Sequence, residues 1–285
     1  MVATSRGMRE PYQPHAAWGE VERLTIDRST EEAAGTFGDR VASLRPDVVI
    51  DLICFTVESA QHLVNALTKR DVFLLHCGTI WVHGHSTIVP TTETQKREPF
   101  GDYGIKKAAI EEWILDAARR ETIRAAILHP GHIVGPGWPP LNPAGHFDPA
   151  VFERLAKGEE LVLPNLGMET VHHVHADDVA QAFELAVANA DRAAGESFHV
   201  CSPAAMTLRG YAEVVAAHFG RPARLAFLPW DEWRKGVTER SANVTWDHIA
   251  RSPNYSIEKA RRRIGYQPRY RSLDAIRESL FHAKA

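Results

Sequence analysis

The chain has 285 residues, 44% hydrophobic and 24% charged, which is ordinary globular usage and long enough to bury a full core as one large domain or a domain with a lobe. Its 33 basic and 36 acidic side chains leave a formal net charge of -3 and no polyanion-binding signature, so nucleic acid is not an expected partner. No apolar run reaches the ~18 residues of a membrane span, the N-terminus has no hydrophobic signal core, and the three scattered cysteines (Cys54, Cys77 and Cys201) suit a reducing cytoplasm.

In chain order, Val2, Ala3 and Thr4 read as a strand stub, and residues 21–26 as a second strand. Thr30 is placed to cap a helix running to about Leu44, with Glu31 and Glu32 in its first turn, where carboxylates suit the positive end of the helix. The turn Arg45-Pro46-Asp47 leads into a buried strand at 48–52. Residues 58–67 read as a helix and 72–76 as a buried strand; a long amphipathic helix then opens beside Tyr103, and 125–128 is again a strand. This alternation implies a parallel sheet with helices on both faces. From Gly135 to Pro149 the chain is rich in Pro and Gly and reads as a loop, with Asp148-Pro149 marking a helix start. Later helices are expected to open at Asp177 or Asp178, Thr207, Ser256 and Ser272, with Gly220 and Gly265 as C-terminal stops.

Tyr103 and Lys107 carry the main chemical signal. Tyr-x-x-x-Lys at a helix start puts a phenol and an ammonium on one face, one turn apart. A free phenol titrates near ~10, and a neighbouring positive charge pulls it down. The pair can therefore make an acid/base group tuned toward neutral pH.

Upstream, the strand before Gly78-Thr79 places a hydroxyl 24 residues ahead of Tyr103. This layout resembles the extended short-chain dehydrogenase/reductase family, the NAD-dependent epimerase/dehydratase type, although His83 stands where that family usually has a tyrosine. The segments at 127–137, 171–183, 195–215 and 255–280 are similar to the family's later elements in the same order, so the resemblance covers nearly the whole chain. It implies an α/β fold: a doubly wound Rossmann-like parallel sheet spanning 1–135, with a smaller, mainly substrate-binding C-terminal lobe spanning 136–285, from which 170–200 returns to the main sheet.

One family element has no counterpart in the sequence. The strand, Gly-x-x-Gly-x-x-Gly turn and helix that meet the cofactor pyrophosphate are missing, and MVATSRG instead resembles the family's second strand. About 30 residues are expected to be absent upstream, the size of one strand-turn-helix unit. The loss of a central strand is expected to leave two sheet halves with unpaired edges. A late start or fragment, a naturally truncated cofactor-weak relative, and replacement by another strand all remain open.

The resemblance implies an NAD(P)-dependent oxidoreductase, epimerase or dehydratase acting on a hydroxyl or ketone of a sugar-like substrate, nucleotide sugars included. The alternative is a cofactor-weak or non-catalytic binding or regulatory protein on the same scaffold. The cofactor is NAD or NADP, the partner a small molecule, and a homodimer is one assembly to expect. Tyr103 becomes the acid/base, Thr79 bonds the reacting oxygen, and Lys107 holds the cofactor ribose and polarises Tyr103. Arg6 at a strand end suits a 2′-phosphate. Asp27 is a candidate for adenine, and Pro130 lies in the strand and loop beside the nicotinamide. Asn142, Lys157 and Arg209 are candidates for a substrate diphosphate, and Trp81 and Trp138 for the pocket wall. The dense histidine groups at 83–85 and 172–175 come without HExxH or Cys-x-x-Cys, so no metal is expected.

Overall fold

The computed structural model of the chain describes residues 1–11 and 14–281. Strands β1 (Val2–Ser5) and β2 (Glu22–Thr25) form a parallel pair. Helices α1 (Arg28–Ala33) and α2 (Phe37–Ser43) follow. One helix was expected here. The break comes at Gly35, whose φ of 72° ends α1 and lets the chain restart. Asp27, not Thr30, caps α1, its Oδ1 accepting from the Thr30 amide at 3.0 Å.

Next come β3 (Val48–Asp51), α3 (Val57–Leu67), β4 (Phe73–Cys77), a one-turn 3-10 helix (Ile80–His83), α4 (Asp102–Arg119) and β5 (Arg124–Pro130). Thr56 caps α3, and its Ala60, Leu63, Val64 and Leu67 fall on one stripe and are buried. They pack with Ile110 and Ile114 of α4 against Leu74 and Ile127 of the sheet. Each such Leu or Ile contributes on the order of 1.5–3 kcal/mol through burial.

The second region contains β6 (His132–Val134), α5 (Ala150–Lys157), β7 (Glu160–Pro164), β8 (Thr170–Val171), β9 (His173–His175), α6 (Ala176–Ala188), α7 (Ala190–Ala193), β10 (Ser197–Val200), β11 (Met206–Thr207) and α8 (Leu208–His218). It closes with β12 (Arg224–Leu228), α9 (Trp230–Trp233), α10 (Glu239–Ile249), α11 (Glu258–Ile264) and α12 (Ser272–Phe281). β10 joins the main sheet beside β5, and α6 lays Val179, Ala182, Phe183 and Ala186 on the face formed by Phe73, Leu75, Leu128 and Phe198. β7 pairs with β12, β6 with β9, and β8 with β11; these small ladders surround a separate core containing Leu155, Leu163, Tyr211 and Trp233.

The main sheet runs β10-β5-β4-β3, all parallel, while β1-β2 forms its own ladder. Among the described residues, β3 therefore pairs on one edge only. Parallel strands are normally covered on both faces. Here Ile50 of β3 is 45% exposed, and Leu52, Ile53 and Phe55 just beyond it are 55%, 56% and 52% exposed.

Candidate active site

The site begins where β4 ends. Thr79 leaves the strand in an extended conformation and caps the 3-10 helix, its Oγ1 accepting from the Trp81 amide at 3.3 Å. That helix stops at Gly84, at φ 74°, where a Cβ would collide with the Glu98 carbonyl; the glycine lets the segment before α4 pass close by. Trp81 and Tyr103 then meet edge to face at 5.8 Å. Tyr103 sits in the first turn of α4, and the Thr79 hydroxyl is near enough to its phenol to favour the phenolate. Thr79 is buried, whereas Tyr103 is 42% exposed.

Lys107, one turn further on, is only 2% exposed. Its ammonium donates to the carbonyl oxygens of Cys54 and Cys77, both at 2.8 Å, and lies 5.0 Å from the Phe55 ring centre. Burial lowers its pKa. The sequence led us to expect a phenol pulled down by this ammonium. Instead the Tyr103 pKa is raised, by burial first and the Cys77 thiol second, with Thr79 opposing. The physical reason is burial of the phenol, while Lys107 is anchored on the carbonyls of Cys77, at the end of β4, and of Cys54, in the loop after β3.

A cleft of about 570 Å³ opens over this pair, lined by Thr79, Trp81, Tyr103, Pro130 and Trp138. Also lining it are His172 of the histidine-dense segment, His132 of β6, and Arg9, Phe147 and His248, the last three not singled out from the sequence. The imidazoles pack as aromatics: Trp81 meets His248 edge to face at 5.2 Å, and His132 meets Phe147 at 5.4 Å. Burial pushes His132 down to about 3 and also lowers His248, so both are neutral rings at pH 7. Arg9 is the one lining residue that carries a full charge among the described residues. The Gly131-His132 pair after β5 was a usable signal; His248 lies on α10, a helix the sequence reading did not anticipate.

The other expected residues lie elsewhere. Asn142 is fully buried and pins its own loop: its Oδ1 accepts from the Ala144 amide at 2.8 Å, and its Nδ2 donates to the Asp148 carbonyl at 2.9 Å. Arg209 pairs with Glu213 at 2.9 Å on the exposed side of α8 and lies over the Phe227 ring. Neither residue lines the cleft, nor does Lys157 in the last turn of α5. Arg6 and Asp27 come together beyond β1 and β2: the Thr30 amide holds the Asp27 carboxyl below its ordinary value, and Arg6 adds to the effect.

Comparison with known proteins bears on this geometry. Residues 20–201 match the family described as "NAD dependent epimerase/dehydratase family". The chain belongs to that family. It is 29% identical over 253 residues to a 2′-dehydrokanamycin reductase of Streptomyces kanamyceticus, covering 87% of this chain and 69% of that one. It is 26% identical over 260 residues to a dTDP-6-deoxy-L-talose 4-dehydrogenase (NAD(P)(+)) of Kitasatospora kifunensis, covering 90% and 76%. Its fold resembles the UDP-glucose 4-epimerase of Thermotoga maritima, with a TM-score of 0.71, 18% identity, and 99% and 90% of the two chains covered.

Membership of the epimerase/dehydratase family makes the chain an enzyme of the NAD(P)-dependent class with a Rossmann-type sheet. The residues around this candidate site would suit a nicotinamide riboside: Tyr103 and Thr79 line the cleft, and the Lys107 ammonium has a third N–H beyond the two it gives to carbonyls. Arg6 and Asp27 are polar groups suited to the adenosine end. The pyrophosphate does not fit: no strand in the described residues runs through a glycine-rich turn into a helix N-terminus. Among the described residues, no helix is long and apolar enough to cross a membrane.

Proposed function

We propose that the chain works on a ketone or secondary hydroxyl of a sugar-like ring that carries no nucleotide diphosphate, in the direction of ketone reduction. The observation that carries this reading is the Thr79–Tyr103 hydroxyl pair at the floor of an aromatic cleft. A ring stacked on Trp81 or Trp138 brings its oxygen to these hydroxyls. Thr79 orients that oxygen. Tyr103, protonated at neutral pH because its pKa is raised, donates the proton that converts the developing alkoxide to an alcohol, and solvent restores the phenol. Hydride delivery to the carbonyl carbon is the chemistry that a reduced nicotinamide supplies when bound.

The substrate class follows from charge. Asn142, Lys157 and Arg209 are not among the cleft's lining residues, where Arg9 is the one fully charged group among the described residues, and a single cation supports a substrate without a diphosphate. The similarity to a reductase named for an oxidised aminoglycoside supports the same choice. The test is oxidation of NADH and NADPH with a phosphate-free keto-glycoside and with a nucleotide-linked keto-sugar. Turnover of the first, cut on the order of 10²-fold by Tyr103→Phe, is expected. Turnover of the nucleotide sugar alone overturns the substrate class, and a Tyr103→Phe variant as active as the parent overturns the mechanism.

A second reading is a cofactor-weak ligand-binding protein on the same scaffold. Saturable binding of a keto-glycoside without turnover by either nucleotide would select it.

A further inference from the structure

His129 of β5 and His199 of β10 stand side by side, paired in register in adjacent parallel strands and therefore on one face of the sheet. His83, the last residue of the 3-10 helix that begins after Thr79, reaches the same point. One ring nitrogen from each of the three lies within 4.8 Å of one from each of the others. The three residues are 3%, 0% and 0% exposed for His83, His129 and His199, and neither histidine-dense segment of the sequence announces the grouping.

Not every ring nitrogen in this cluster has a hydrogen-bond partner. His129 Nε2 meets Glu111 Oε2 at 2.8 Å, and so carries a hydrogen for that carboxylate. His199 Nδ1 meets the Ser256 carbonyl at 3.1 Å and carries another. The neutral His199 ring then offers a bare lone pair at Nε2, 2.8 Å from His83 Nε2. If His83 donates there, its Nδ1 is bare too. His83 Nδ1 and His129 Nδ1 have no hydrogen-bond partner, although both are buried. Arg97, 2.7 Å from Glu111, supplies one positive charge beside the cluster. Glu93 accepts from the His199 amide at 3.0 Å and adds a second carboxylate. The side chains of Glu93, Glu111 and Arg97 together carry one net negative formal charge beside the rings.

We propose that His83, His129 and His199 bind a divalent transition-metal cation of the zinc class, which ties the turn carrying Thr79 to the main sheet. Three neutral imidazoles are a common ligand set for such an ion, with metal–nitrogen distances of about 2.0–2.1 Å. The Glu111 carboxylate on His129 and the Ser256 carbonyl on His199 are the kind of partner that orients ligating imidazoles. A second group, Asp51, Cys54 and His76, also converges, but it lies beside the cations Arg28 and Lys107, which oppose a metal. The role is structural, because no member of the trio lines the cleft.

The experiment uses the full chain, stripped by chelator and titrated with zinc chloride in a calorimeter, and separately with cobalt chloride in a spectrophotometer. We expect one equivalent bound and a tetrahedral cobalt absorption band, with affinity reduced more than about 100-fold in His199→Gln and about 10–100-fold in Glu111→Gln. Cys54→Ser should bind as the parent does. The parent cobalt spectrum decides the matter even if the variants fold poorly: no tetrahedral band at one equivalent overturns the site. Loss of binding in Cys54→Ser, with binding retained in His199→Gln, also overturns it.

Discussion

Arg28 Nη1 lies 2.6 Å from Asp51 Oδ1, and both side chains are less than a tenth exposed. The pair ties the helix after β2 to the end of β3, where no backbone ladder joins the two sheets. Arg28 also holds Glu32 at 2.7 Å and the Ser59 carbonyl at 3.4 Å. Asp51→Ala takes one of two carboxylates from Arg28 and leaves Glu32, so the loss is that of a charge-assisted hydrogen bond, about 2 kcal/mol. Asp51→Ala should therefore lower the urea midpoint by that equivalent, and a change below about 0.5 kcal/mol would mean that the two sheets are held together in some other way.

Lys107→Ala should do more than weaken catalysis. It leaves the carbonyls of Cys54 and Cys77 without their donor, and each buried unsatisfied acceptor costs about 1–3 kcal/mol. Lys106 lies on the exposed side of the same helix, paired with Asp102 at 2.8 Å, and Lys106→Ala should be near neutral. Denaturant unfolding of the two variants separates the roles; an equal loss in both would place the ammonium wrongly.

Acid should destabilise the protein before its carboxylates titrate. In the folded chain burial holds His132 at about 3 and His172 at about 4, against an ordinary 6.5. Between those values and 6.5 the unfolded chain binds protons that the folded chain does not. Stability is therefore complete above pH 6.5 and falls as the pH drops through that window. Thermal midpoints measured from pH 8 to pH 4 in the presence of chelator should decline from about 6.5 downward. A flat profile to pH 5 would contradict neutral buried imidazoles.

Dinucleotide binding by the 285-residue chain should be weak, because the described residues offer the pyrophosphate no helix N-terminus behind a glycine turn. Titration calorimetry with NAD and NADP should give dissociation constants above the micromolar range. Arg6→Ala should weaken NADP more than NAD. Micromolar binding of either nucleotide would show that another segment cradles the phosphates.

Much of the sheet was readable in the sequence because Val48–Asp51, Phe73–Cys77 and Arg124–Pro130 are apolar or β-branched runs flanked by turns. The Thr79, Tyr103 and Lys107 spacing was readable because a helix turn fixes it. The same pattern could not reveal where Lys107 would point, since two backbone carbonyls decide that and carbonyls leave no mark in a sequence. Strands β7 and β12 were not anticipated: each is five residues long, and they pair across more than sixty positions. The loop around Asn142 was hidden for a related reason. Asn142 was expected to meet a ligand, but its side chain is occupied in building a tight loop.

Arg251 lies between Trp81 and Phe100, its guanidinium carbon 3.9 Å and 3.8 Å from the two ring centres, and it donates to the Phe100 carbonyl at 2.6 Å, 151 positions away. The wall of the cleft and the start of α4 are thus clamped by a residue near the far end of the chain. Contacts between such distant positions carry a large loop-closure cost and are late to form. As the polypeptide emerges from the ribosome, the main sheet can assemble while the Trp81 side of the cleft still lacks its clamp. Catalytic competence should then appear only after the last elements have been synthesised and docked.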